Sequence, residues 1–274
     1  MIAAIADRWL LQFFSGSAEQ GFYGMALQIG SFCLIFTSAM LPLLARDFAK
    51  ADQDRNLALI SENFERSVPR FYAIAAFLGV FMAVEADHII LVLGGENFSN
   101  AGIATALMCL YPIHQTCGQI NGTLFYSTGQ THLYRNIGLF SIALGFILTV
   151  WLLGPARFGG LALGSVGLAT KMVLSQVMVV NVQLWVICRQ LNLSFWRLLR
   201  NQTVTLLMFS AIAIAARGAG ECIVMISSAR LIAACLVYVI ISMLCVWMLP
   251  RIFGLSRDDF QGLLSQVMRR RNNA

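Results

Sequence analysis

The chain has 274 residues, 58% of them hydrophobic and only 12% charged, with a net charge of +6 and a mean hydropathy of +0.74. An average soluble chain is roughly 45–50% apolar and about 25% charged, so the composition excludes an ordinary soluble fold and points to a membrane. The positive charge does not indicate nucleic acid, because the basic residues cluster in short loops between apolar runs, where they set membrane orientation.

In chain order, the pattern predicts an all-α, polytopic helical bundle of about eight transmembrane helices. The run Met1–Phe14 is short against the roughly 20 residues a crossing needs. It holds charge and lacks a basic start, so it reads as a helix and not as a leader peptide. A polar loop, 15–21, leads to a second run from Phe22 to about Ala45. The stretch 46–70 carries five basic and five acidic residues, with Leu57, Ile60, Phe64 and Val68 at helical spacing. That spacing predicts an amphipathic helix on the inner membrane surface. The third crossing is expected to start near Pro69, a good first-turn position for proline, and to end near Val84. The fourth covers about 101–127 and the fifth about 137–153. The sixth is expected over 160–188, with Gly159, Gly160, Gly164 and Gly167 as a packing stripe. After a basic loop, 189–201, two more crossings are predicted over about 203–216 and 223–249. The tail repeats the amphipathic device with Phe260, Leu263, Leu264 and Val267 beside three arginines, which suits anionic lipid headgroups. The expected organisation is thus a six-helix lobe over 1–189, two additional helices over 190–250, and a basic tail over 251–274.

Orientation follows from lysine and arginine alone. Fourteen of the nineteen lie on one set of alternate loops, and three, Arg157, Arg217 and Arg230, lie on the other. The positive-inside rule places the richer side, and with it both chain ends, in the cytoplasm.

The sequence lacks Gly-x-Ser-x-Gly, a phosphate-binding Gly-x-x-x-x-Gly-Lys and His-Glu-x-x-His, so no enzyme, cofactor or metal is expected. Asp52-Gln-Asp54 is similar to the metal–nucleotide motif of sugar transferases, but a two-residue match in a short amphipathic loop carries little weight. The seven cysteines show no zinc-like spacing and read as small buried hydrophobes. The informative residues are polar ones within apolar runs. Lys171 is expected eleven residues into its helix, roughly 16 Å deep, where a lysine needs a hydrated cavity or a partner. It reads either as a cation of a polar lumen or as a structural lysine held by carbonyls or an acid. Asp7 and Arg8 are sequence neighbours and cannot share a helix face; one is expected to meet a neighbouring helix and the other a lumen. Gln115 and Gln119, with His114 and Asn121, can glue helices or line a hydrated path.

Three stretches carry a family resemblance. The first is Ala6-Asp-Arg-Trp-Leu-Leu-Gln-Phe-Phe-Ser-Gly through Gly21-Phe-Tyr-Gly24. The second is Phe36-Thr-Ser-Ala-Met-Leu-Pro42 before a basic loop, and the third is Leu124-Phe-Tyr-Ser-Thr-Gly-Gln-Thr-His-Leu-Tyr-Arg-Asn136. In this order they resemble the polysaccharide flippases, the O-antigen and lipid-linked oligosaccharide translocases of the multidrug/oligosaccharidyl-lipid/polysaccharide exporter superfamily. The resemblance covers most of the first 190 residues and matches the second of two six-helix lobes. It implies a bacterial inner-membrane transporter moving an undecaprenyl-diphosphate-type O-antigen or exopolysaccharide unit outward by alternating access. It also implies that the first lobe is supplied by another segment or chain. Arg8 and Lys171 are then the candidate cations for the anionic head, with Arg135 at the inner mouth, Gln115 and Gln119 along the path, and Asp7 in a structural or coupling role. The alternatives are a multidrug or cation exporter of the same superfamily, which should show lumen carboxylates, and a membrane scaffold or fragment without transport.

Overall fold

A computed structural model describes residues 2–223 and 227–254, and every described element is helical or a turn. The helices are α1 (Ile2–Ser15), α2 (Ser17–Ser31), α3 (Ile35–Gln53), α4 (Leu57–Val84), α5 (Ala86–Gly94), α6 (Gly102–Ser127), α7 (Thr131–Leu153), α8 (Gly164–Gln190), α9 (Phe195–Ile223) and α10 (Ser227–Met248). Six helical stretches are long and apolar enough to cross a membrane: Ser17–Gln53, Leu57–Val84, Thr131–Leu153, Gly164–Gln190, Phe195–Cys222 and Ala229–Met248. The protein is a multi-pass helical membrane protein.

The two further crossings expected from the sequence, α1 and α6, are not among these six. α1 has 14 residues, about 21 Å of helix. α6 has 26 residues, which is ample length, but it is too polar. The reason lies in its position. α6 packs against α2, α3, α4, α5, α7 and α8, so its perimeter is mostly protein and it need not match lipid. Close approach is what makes this possible. Gly79 of α4 sits so near α6 that an added Cβ would stand 2.5 Å from the Cys109 carbonyl oxygen, and one on Gly30 of α2 would fall closer still to that of Met108. Polar groups tie the remaining sides. Thr37 and Thr116 hydroxyls meet at 3.2 Å, and Asn121 Nδ2 donates to the Val180 carbonyl at 3.4 Å.

Other boundaries also moved. The run expected over 22–45 is broken by a single 3-10 turn at Phe32–Leu34, and the second piece, α3, continues through the charged segment to Gln53. Residues 57–84 form one helix with Pro69 buried in its interior. The expected surface helix is therefore the first part of α4. Ile60, Phe64 and Val68 are buried in the main core, and only Leu57 is exposed. α8 starts at Gly164, because 161–163 fold back on α7: Leu161 N donates to the Trp151 carbonyl and Leu163 N to that of Leu152. Gly159 and Gly160 thus lie in the loop and not on a helix stripe, while Gly167 does approach α7 at Leu152. α9 begins inside the expected basic loop. It packs with α10 on α4, where the Tyr238 ring stacks on Phe77 and Phe81 at 5.1 and 5.0 Å. The amphipathic tail expected around Phe260–Val267 lies outside the described residues.

Overpacking against a backbone carbonyl leaves little room to relax and costs about 1–3 kcal/mol. Gly79→Ala should therefore lower the thermal midpoint in detergent. Gly24→Ala, whose added Cβ meets nothing within 4 Å, should leave it unchanged or raise it. Equal midpoints for the two variants would remove close approach to α6 as the organising contact.

Candidate functional site: a charge cluster at the α1, α7 and α8 junction

On α1, Asp7 and Leu11 are one turn apart and both are buried, so they share the inward face. Asp7 reaches two helices. Lys171 Nζ of α8 lies 2.6 Å from Asp7 Oδ2, and Thr149 Oγ1 of α7 donates to Asp7 Oδ1 at 2.8 Å. The same hydroxyl lies 2.9 Å from the Gly145 carbonyl, one turn back on α7. Gly145 makes the room: a Cβ there would stand 3.2 Å from Lys171 Cε. Lys171 is only seven residues into α8, roughly 10 Å from its start, because the helix begins later than the sequence pattern predicts.

Arg8 points the other way. It is exposed beside Ile5, Trp9 and Phe13, and makes no hydrogen bond or ion pair among the described residues. The two charges adjacent in sequence are thus split between a buried clamp and an outward face. With Lys171 neutralised by Asp7, the junction carries one uncompensated positive charge, on Arg8.

Behind the pair runs a line of polar groups. Tyr23 of α2 is buried within electrostatic reach of Asp7, Arg8 and Tyr111. Tyr111 of α6 donates its hydroxyl to Gln115 Oε1 at 3.2 Å. Gln115 and Gln176 of α8 both come close to Gly118, where an added Cβ would meet Gln176 Nε2 at 2.8 Å. Gln119 is one turn further along; its Oε1 is buried and makes no hydrogen bond among the described residues. Arg135 does not join this group. It is exposed in the first turns of α7, bonded to Asn136 Oδ1 at 3.5 Å, and lies ten residues, roughly 15 Å of helix, from Gly145.

Tyr111 and Thr149 belong to this cluster and were not singled out from the sequence, because a lone hydroxyl in an apolar helix has no distinguishing pattern; Tyr23 belongs to it as well and stands in the Gly21-Phe-Tyr-Gly24 stretch. Glu19 was passed over as well. Its Oε2 accepts from Ser165 N at 2.6 Å, which places a carboxylate on the N-terminus of α8 and locks α2 to it. Gly164, with φ +57, permits this: a Cβ there would stand 2.6 Å from the same oxygen. Among the described residues no group of three or more His, Cys, Asp or Glu is arranged to hold a metal. No family model, curated protein or solved structure matches the chain.

Breaking a buried ion pair from one side leaves the other charge uncompensated, at a cost of about 3–5 kcal/mol. Lys171→Met alone should therefore strongly lower thermal stability in detergent. Pairing it with Asp7→Asn should recover most of the loss, since no charge then remains buried. A double variant no more stable than the single one would show that the pair is not the clamp.

Proposed function

We propose that the chain is a transporter lobe that moves a lipid-linked oligosaccharide across a bacterial inner membrane by alternating access against a second lobe, and that Arg8 receives the anionic head of the substrate. The observation that carries this reading is Arg8 itself. A guanidinium stands on the exposed face of an apolar helix, beside a tryptophan that is 74% exposed, without a counter-ion among the described residues. A charge facing hydrocarbon is costly, so such a residue calls for an anion or a hydrated cavity. Its planar fork suits the paired oxygens of a diphosphate. The polyprenyl tail can remain in lipid while the lobe rocks about the site.

The order of the sequence motifs supports the same class. A cation exporter is less favoured, because Asp7, the acid of α1, is committed to Lys171. Gln115, one turn from Tyr111, supplies a hydrogen-bonding group further along the polar line. In this reading both chain ends lie in the cytoplasm, on the arginine-rich side.

Two measurements test the proposal. In nanodiscs, a polyprenyl diphosphate should bind Arg8→Ala about ten- to a hundredfold more weakly than the parent, the worth of a hydrogen bond to a charged group. Arg8→Lys should keep part of the affinity, because the charge survives while the planar fork is lost. Undiminished binding by Arg8→Ala would end the assignment. Orientation is tested separately by cysteines introduced at Asn97 and His132 in a cysteine-free background. The first should label from outside intact cells and the second only after the inner face is opened; the reverse pattern would overturn the topology.

A further inference from the structure

Three helices end around one small cavity. α3, α6 and α8 close with the same backbone device: a residue of positive φ, followed by an amide that reaches back over the last turn. Arg55, Gly129 and Asn192 supply the positive φ. Asn56 N, Gln130 N and Leu193 N then donate to the carbonyls of Ala51, Phe125 and Cys188 at 2.9, 2.8 and 2.8 Å. The cavity between these ends measures about 150 Å3. Asp52 of α3, Thr128 and Gln130 after α6, and Gln190 of α8 surround it, over a floor of Ile60 and Leu124. A helix carries partial negative charge at its C-terminus, so three such ends favour a cation. The start of α4 also borders the cavity, but its first turn is capped from within: Leu59 N donates to Asn56 Oδ1 at 3.0 Å.

The side chains around the cavity offer acceptors. Gln130 Oε1 is buried and makes no hydrogen bond among the described residues. A buried oxygen in that state costs free energy until a donor or a cation reaches it. Thr128 gives its hydroxyl proton to the Leu124 carbonyl at 2.9 Å, so its oxygen is left to accept. Asp52 brings a carboxylate, and its exposure leaves the cavity open to solvent. Lys50, Arg55 and Arg189, the basic residues of the adjoining turns, do not line the cavity, and the Arg189 guanidinium is held 4.7 Å above the Trp185 ring. Asp54 does not line it either, so the Asp-x-Asp spacing is not what makes the site.

We propose that this cavity binds one partly hydrated magnesium ion, held by the Asp52 carboxylate and Gln130 Oε1, with water in the remaining positions. Magnesium characteristically takes one or two carboxylates and keeps several waters. The lining holds oxygen donors and neither histidine nor cysteine, which argues against zinc or copper. At roughly 30 Å3 per water, the volume has room for the ion with part of its hydration shell. The site needs a single acid, so it is compatible with the lack of any group of three or more His, Cys, Asp or Glu among the described residues. An ion there joins the end of α3 to the turn between α6 and α7.

Manganese serves as the probe, because it shares magnesium's octahedral oxygen coordination and the free ion loses its electron spin resonance signal when bound. The full chain in neutral detergent should bind Mn2+ at about 1 mM or below, the weak end of oxygen-ligated sites. Mg2+ should displace it, and an equal concentration of K+ should not. Asp52→Asn should weaken binding by about tenfold or more, since ligand charge sets the affinity of such sites. Gln130→Glu, which adds a charge at the orphaned oxygen, should tighten it by about tenfold; it also serves as the test if Asp52→Asn fails to fold. Asp54→Asn should leave binding unchanged. No binding by the parent, binding unaltered in Asp52→Asn or in Gln130→Glu, or displacement by K+ as readily as by Mg2+ would overturn the proposal. So would a loss in Asp54→Asn as large as in Asp52→Asn, which would place the ion on the exposed turn and not in the cavity.

Discussion

The structure depends on how closely other helices can approach α6. Without a hydrophobic drive between helices inside lipid, association rests on van der Waals contact and interhelical hydrogen bonds. Gly30 and Gly79 bring α2 and α4 onto successive carbonyls of α6, at Met108 and Cys109. Gly118 and Gly122 of α6 itself receive Gln176 and the Tyr134 ring. Once α6 is enclosed in this way, Asn121 is buried and His114, Gln115 and Gln119 are half-buried against neighbouring helices. The polarity that keeps α6 out of the set of lipid-compatible helices is a consequence of its central place.

α1 is held by a different means. An isolated helix of 14 residues is marginal on propensity alone. Its inward face offers Leu11 and the carboxylate of Asp7, which binds both α7 and α8. A buried ion pair is a weak source of net stability against an apolar replacement but a strong determinant of geometry, since either charge alone is heavily penalised. Here it fixes the rotation of α1, and that rotation is what sends Arg8, about 100° further round the helix, to the exposed face.

The class of fold was legible because it rests on composition and long apolar runs, which are summed over many residues. The divergence of Asp7 and Arg8 was also legible, since it needs only the helical period. What the runs cannot reveal is the medium on the far side of an apolar stripe. Ile60, Phe64 and Val68 have the spacing of a membrane-surface helix, yet their stripe meets protein core, and Pro69 sits within an unbroken helix instead of starting one. The partner of Lys171 was out of reach for a related reason. Asp7 is 164 residues away in sequence, and no local pattern encodes a contact made by tertiary packing. The late start of α8 followed from backbone bonds between 161–163 and the end of α7, which glycine-rich sequence permits but does not dictate.

Two arginines on the surface of this bundle show how the same side chain serves different ends. Arg70 is fixed: a glycine with positive φ turns its carbonyl to the guanidinium. A cation held in that manner has little rotamer freedom left to lose. Arg8 is not fixed by any described hydrogen bond, and the aromatic residues around it are exposed. A cation without such ties loses more entropy when it grips an anion, which weakens the grip and eases release. If the lobe transports as proposed, release at the end of each cycle favours such a loosely held cation, and Arg8 rather than Arg70 meets that requirement.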